Sequence, residues 1–171
     1  HRRVLDRRGH DPAGAGRGVW HDSIAAAERV QLDVARTTIP LFAQPLPEDK
    51  ISGKLVLAAR LINANLGLRV LDVGWGDFDS HSDQPSMHPS RMSELDTALR
   101  LFFTNLDDAY RSRVSVLVVS EFGRTPWANG SAGTDHGSAH AVLALGGSVR
   151  GGRMLGRWPG LSPTQLYQNR D

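Results

Sequence analysis

The sequence predicts an α/β domain in which a mainly parallel sheet is flanked by helices. Three observations carry that expectation. The run VSVLVV at residues 114–119 is continuously apolar and β-branched, the composition of a strand covered on both faces. HAVLALGG at residues 140–147 repeats that character. Before the first run, apolar residues recur every three and four positions, the period of an amphipathic helix. Strand, helix, strand, loop, strand is the order that parallel sheets with right-handed crossovers require.

The chain has 171 residues, 40% of them hydrophobic, enough for one domain with a core. Twenty Lys and Arg against eighteen Asp and Glu leave a net charge of +2, too shallow an excess to point to a nucleic-acid partner. Much of that charge sits in HRRVLDRRGH and GAGRG, so residues 1–19 are expected to form a flexible basic arm, with the folded domain over residues 20–171. No cysteine occurs, which excludes disulfides and thiolate zinc sites and leaves oxygen and imidazole as ligands for any metal. The apolar runs fall far short of the ~20 residues of a membrane span. Neither an initiator methionine nor a signal-peptide pattern opens the chain, which reads as a piece of something longer.

The elements follow in order. Asp22 or Ser23 is placed to cap a helix through SIAAAERVQLDVART, ending near Pro40. TTIPLFAQPLPEDK contains Pro40, Pro45 and Pro47 and should be irregular. A second helix over residues 50–65 sets Leu55, Ala58, Ala59 and Ile62 on one side and stops before Gly67. Residues 69–73 are expected as a strand. From Pro89 to about Tyr110, the positions of Met92, Leu95, Leu99, Phe102, Phe103 and Leu106 predict an amphipathic helix. Residues 114–119 and 141–145 complete the sheet as its neighbouring strands.

The polar segments between these elements carry the chemistry. GWGDFDSHSDQ, residues 74–84, crowds Asp77, Asp79, His81 and Asp83 together. Carboxylates that close repel unless a cation sits among them, although Asp and Gly also make ordinary turns. Ligands of parallel sheets gather beyond the carboxyl ends of the strands, where this loop and SEFGRT would both lie. With GTDHGSAH they offer Asp77, Asp79, His81, Asp83, Glu121, Arg124, Asp135, His136 and His140. Carboxylates with imidazoles suit one or two divalent ions, Zn²⁺ or Mn²⁺. Gly133 and Gly137 allow a tight backbone around Asp135 and His136. Arg124 is suited to a phosphate or sulfate oxygen, or equally to an ion pair with Glu121 or a nearby aspartate. Trp75 and Trp127 either line the site or pack beneath it.

GWGDFDSHSDQ, VLVVSEFGRT, GTDHGSAHAVLALGGSVRGGR and GRWPGLSPTQLY together resemble the DUF1501 family, domain-of-unknown-function proteins that are similar in fold to the alkaline phosphatase and sulfatase superfamily. The resemblance spans roughly residues 67–168. It implies a metal-dependent hydrolase of phosphate or sulfate esters, or a noncatalytic metal- or glycan-binding module of the same fold. The implied ligands are Asp79, His81, Glu121, Asp135 and His136. Asp77 competes with Asp79, because it stands in the Asp-x-x-x-His relation to His81 that superfamily members often use. His140 is either a further ligand or the first residue of the last strand. Superfamily hydrolysis uses a Ser, Thr or Cys nucleophile after an early strand. No such strand precedes Ser23, whose ordinary reading is a helix cap, so the domain is expected to be truncated at both ends. The resemblance further implies a small-molecule or polysaccharide ester as substrate and an exported or periplasmic location.

Overall fold

The computed structural model describes residues 19–169. All of the expected basic arm except Val19 lies outside the described residues. The chain divides into two compact units after Ala43.

In the first unit the described element is helix α1 (Val19–Ala43). It begins ahead of Asp22 and Ser23, so these lie in the helix and not at its cap. A carboxylate in the first turn, such as Asp22, still faces the positive end of the helix dipole. The helix runs through Pro40 to Ala43, one turn beyond its expected end. Proline removes one amide and crowds the carbonyl of Arg36, four residues back, so the disturbance falls within the last two turns of the helix.

The second unit contains a helix pair that supplies its core. Helix α2 (Lys50–Asn63) starts where Asp49 accepts hydrogen bonds from the Ile51 and Ser52 amides, at 3.2 and 3.1 Å. Ile51, Leu55, Ala58 and Ala59 recur at helical spacing and are buried. Helix α3 (Gln84–Asn105) answers with Leu95, Ala98 and Phe102, and Leu106 follows just beyond its end. Ala59 and Ala98 are 0% exposed. Such small side chains let helix backbones approach closely, and Phe102 and Leu106 fill the space beside them. Val73, Trp75, Val114 and Val116 pack against this core from the loops and strand around it. Helix α3 begins at Gln84, ahead of Pro89, with a proline in its first turn where no amide partner is lost. It ends at Asn105, and a short helix α4 (Asp108–Arg111) takes up the rest of the segment expected to continue it.

The strands correct the expected fold class. The described residues are helix-rich, with two small antiparallel pairs and no mainly parallel sheet. Strand β1 (Ser115–Val118) pairs with β4 (Leu143–Gly146) in antiparallel register, from Ser115 opposite Gly146 to Val118 opposite Leu143. The two apolar runs are therefore neighbours, but in opposite directions. Between them the short strands β2 (Gly123–Arg124) and β3 (His136–Gly137) pair antiparallel, Arg124 opposite His136. Residues 69–73 form no strand. The physical reason is the connection: a parallel return ordinarily needs a crossover helix, and residues 119–142 contain none. A β-branched run reports strand propensity and not strand direction, and half-exposed alternation along β1 shows that it is not covered on both faces. No helix among the described residues is long and apolar enough to cross a membrane.

Candidate metal centre

Three loops of the second unit meet at one place. The segment after Trp75 supplies Asp79 and His81, β2 supplies Arg124, and the turn entering β3 supplies Asp135 and His136. Two backbone links bring the first and third loops together: the bridge between Ser82 and Ala132, and the Thr134 amide donating to the Ser80 carbonyl at 3.2 Å. Gly133 makes the approach possible, since a Cβ there would lie 2.1 Å from the His81 carbonyl carbon. Gly123 plays the same part for β2, where a Cβ would lie 1.7 Å from the Ala139 oxygen.

At the centre, His136 Nε2 lies 3.0 Å from Asp79 Oδ1 and 3.0 Å from His81 Nε2. His81 Nε2 lies 3.1 Å from Asp79 Oδ1, closing the triangle. Among the described residues, Asp79, His81 and His136 are the group whose ligand atoms converge in this way. The other ring nitrogen of His81, Nδ1, faces Asp135 Oδ1 at 3.2 Å. A carboxylate on Nδ1 favours the Nδ1–H tautomer and turns the Nε2 lone pair toward the triangle, the usual arrangement behind a metal-bound histidine. Phe122 stacks on the His136 ring at 4.0 Å between centroids and fixes its plane.

Asn129 braces the arrangement. Its amide nitrogen donates to the His81 carbonyl at 2.9 Å and to Asp135 Oδ1 at 3.1 Å. Its oxygen accepts from the Ser131 and Gly133 amides at 2.9 and 3.0 Å. Arg124 donates to Asp79 Oδ1 and, through Nε, to Thr134 Oγ1 at 3.0 Å. Thr134 Oγ1 in turn donates to Gln84 Oε1 at 2.7 Å, tying the site to the start of α3. The Arg124 guanidinium is the main reason the Asp79 carboxyl is held below the ordinary carboxylate range, with help from the His136 hydrogen bond and the nearby imidazoles. Desolvation is the next largest influence and opposes the shift, but does not cancel it. Asp79 and both histidine side chains leave about half their surface in water.

The expected site residues are therefore divided. Asp79, His81 and His136 share the centre, and Asp135 stands behind His81. Asp77 turns away, with a left-handed φ of 73°, and pairs with Arg91 at 3.1 Å. Asp83 occupies the cap position of α3, where Ser86 donates to its carboxylate. Glu121 and His140 are exposed and lie outside the converging group. Arg124 makes an ion pair with Asp79 and not with Glu121. Trp75 packs against the core, and Trp127 is exposed. Asn129, Thr134, Gln84 and Phe122 support the site without being ligand types that stand out in the sequence. Asn129 had one visible signal, its place in an Asn-Gly-Ser turn six residues before Asp135.

The donor set fits a divalent ion. Three ligand atoms about 2.0–2.1 Å from a tetrahedral Zn²⁺ lie about 3.3–3.4 Å apart. The edges here, 3.0 to 3.1 Å, need to open by only a few tenths of an ångström. Atoms this close need a hydrogen or a metal ion between them: an Nε2–H on one imidazole supplies the first, a divalent ion the second. Two imidazoles and one carboxylate would leave such an ion a coordination position for water or a ligand.

A family model described as "Protein of unknown function (DUF1501)" matches residues 24–170. No curated protein and no solved structure matches the chain.

Proposed function

The chain belongs to the DUF1501 family, and from that premise we propose that it carries the divalent-metal centre of a hydrolase acting on phosphate or sulfate esters. The observation behind this reading is the convergence of Asp79 Oδ1, His81 Nε2 and His136 Nε2 within 3.1 Å of one another. Support comes from the ligand set and its bracing, and not from the sheet, whose strands run antiparallel.

A bound Zn²⁺ or Mn²⁺ supplies Lewis acidity toward an ester oxygen and lowers the pKa of bound water. The chain's own residues do the rest. Asp135 and Asn129 hold His81 in the tautomer and orientation that present Nε2. Phe122 restrains the His136 ring. Asp79 contributes the negative charge that neutralises part of the ion. Arg124, whose guanidinium already donates to Asp79, is the charged donor nearest the three ligand residues that a phosphate or sulfate oxygen would meet. Ser23 lies inside α1, in the other unit, and is given no nucleophilic role here.

Calorimetric titration of the full chain with Zn²⁺ and Mn²⁺ tests the reading, followed by assay of aryl phosphates and aryl sulfates on the metal-loaded protein. We expect one ion per chain, with binding lost in His136→Ala and in His81→Ala while the helical circular dichroism persists. Binding without turnover selects a noncatalytic metal-binding module. An unmodified chain that takes up no ion overturns both.

A further inference from the structure

After β4 the chain runs through residues 147–162 with neither helix nor strand, and it turns its apolar side chains outward. Met154 is 100% exposed, Leu155 90% and Trp158 74%. Gly152 and Gly156, with φ of +71° and +137°, bracket the Met154–Leu155 pair and make it the tip of a loop. A Cβ added at Gly151, Gly152 or Gly156 would meet no atom within 4 Å, so the tip stands clear of its neighbours on both flanks. Arg150, Arg153 and Arg157 are exposed around it, and among the described residues no carboxylate pairs with any of them. The sequence holds no Asp or Glu between Asp135 and Asp171, so the positive charge is uncompensated along this whole stretch.

An aliphatic tip ringed by arginines, with a tryptophan beside it, matches one surface chemistry in both its parts. An anionic bilayer offers phosphates to the guanidinium groups, hydrocarbon to Met154 and Leu155, and the boundary between them to the amphipathic indole. A nucleic acid or a sulfated glycan satisfies the arginines and stacks on Trp158, but gives the two aliphatic side chains nothing. A protein partner would need on the order of 800 Å² from each side for a stable complex, more than one loop tip presents.

We propose that residues 150–158 form a peripheral docking loop for an anionic lipid surface, with Met154 and Leu155 entering the acyl boundary and Arg150, Arg153 and Arg157 contacting headgroup phosphates. The loop shares no residue with the candidate metal centre, and its docking requires no ion there.

Flotation of the full chain with large vesicles tests this, comparing pure phosphatidylcholine with phosphatidylcholine containing phosphatidylglycerol, in chelator to keep the metal centre out of play. We expect partitioning onto the anionic vesicles alone, weakening as salt is raised. The pair Arg153→Gln and Arg157→Gln should weaken it about 25-fold, roughly fivefold for each charge. The pair Met154→Ser and Leu155→Ser should weaken it more than about tenfold through the lost apolar burial. All four positions are exposed, so circular dichroism should be unchanged in both variants. Absence of partitioning overturns the proposal, and so does partitioning that the Met154/Leu155 pair does not alter. Retention on heparin that survives that pair, without vesicle binding, would assign the loop to a polyanion and overturn the lipid assignment.

Discussion

Ala59 and Ala98, where α2 meets α3, are fully buried, whereas Asp79, His81, Asp135 and His136 keep about half of each side chain in water. The helix pair is held by apolar burial, which is nondirectional and strong in sum. The loop cluster is held by directed hydrogen bonds and by close backbone contacts at Gly123 and Gly133. The core and the candidate site thus use different residues of one unit, so the loops can be altered with little effect on the helix pair, whereas loss of the helix pair takes the loops with it. Function in such a unit is lost in two distinguishable ways, by melting the helices or by disarranging the loops.

The largest expected effect breaks the comparison at its stable end. Phe102, 4% exposed, fills the space beside the alanine contact, and Phe102→Ala should cost about 3–5 kcal/mol in urea unfolding. Metal binding should disappear with the fold. Next, Asn129→Ala should leave the urea midpoint nearly unchanged while lowering Zn²⁺ affinity about 10–100-fold, since it removes the brace on His81 and Asp135. An equal loss of stability and affinity there would show that the two regions are not separable. Asp49→Ala acts on the helix side alone: loss of the α2 cap should cost about 1 kcal/mol and leave metal affinity intact. The smallest effect is a titration. Asp79 has a folded pKa below the ordinary 3.8, so its contribution is fully present above that value and fades as pH falls through the lower, folded one. In the metal-free protein, carboxyl NMR should place its midpoint below 3.8, and Arg124→Ala should move it back toward that value.

The two regions were also unequally legible in the sequence. The apolar period of α2 and α3 is repeated locally, so their existence and buried faces could be read directly, with ends misplaced by a few residues at Gln84 and Asn105. Strand direction is not a local property. The runs at 114–119 and 140–147 announce strands, yet their antiparallel pairing depends on how residues 119–142 fold back. The crowded aspartates announced a site without saying which of them face it. Asp77 and Asp79 differ by two positions in a loop, and the left-handed φ of Asp77 that turns it toward Arg91 leaves no mark in composition. Asn129 shows only a turn in the sequence, and its role as a brace is hidden because its partners His81 and Asp135 lie 48 residues before it and 6 after it.

That asparagine has a consequence for the chemical ageing of the protein. Asn129 precedes Gly130, and an Asn-Gly pair is the dipeptide most prone to spontaneous deamidation. All the hydrogen-bonding capacity of its amide is in use, two donors toward His81 and Asp135 and an oxygen shared by two backbone amides. The succinimide formed in deamidation opens to isoaspartate and aspartate, and either product lacks both amide donors and sets a second carboxylate beside Asp135 and the His81 carbonyl. A stored preparation should then keep its helical spectrum while its capacity for metal declines, with the acidic isoform on ion exchange being the fraction that no longer binds.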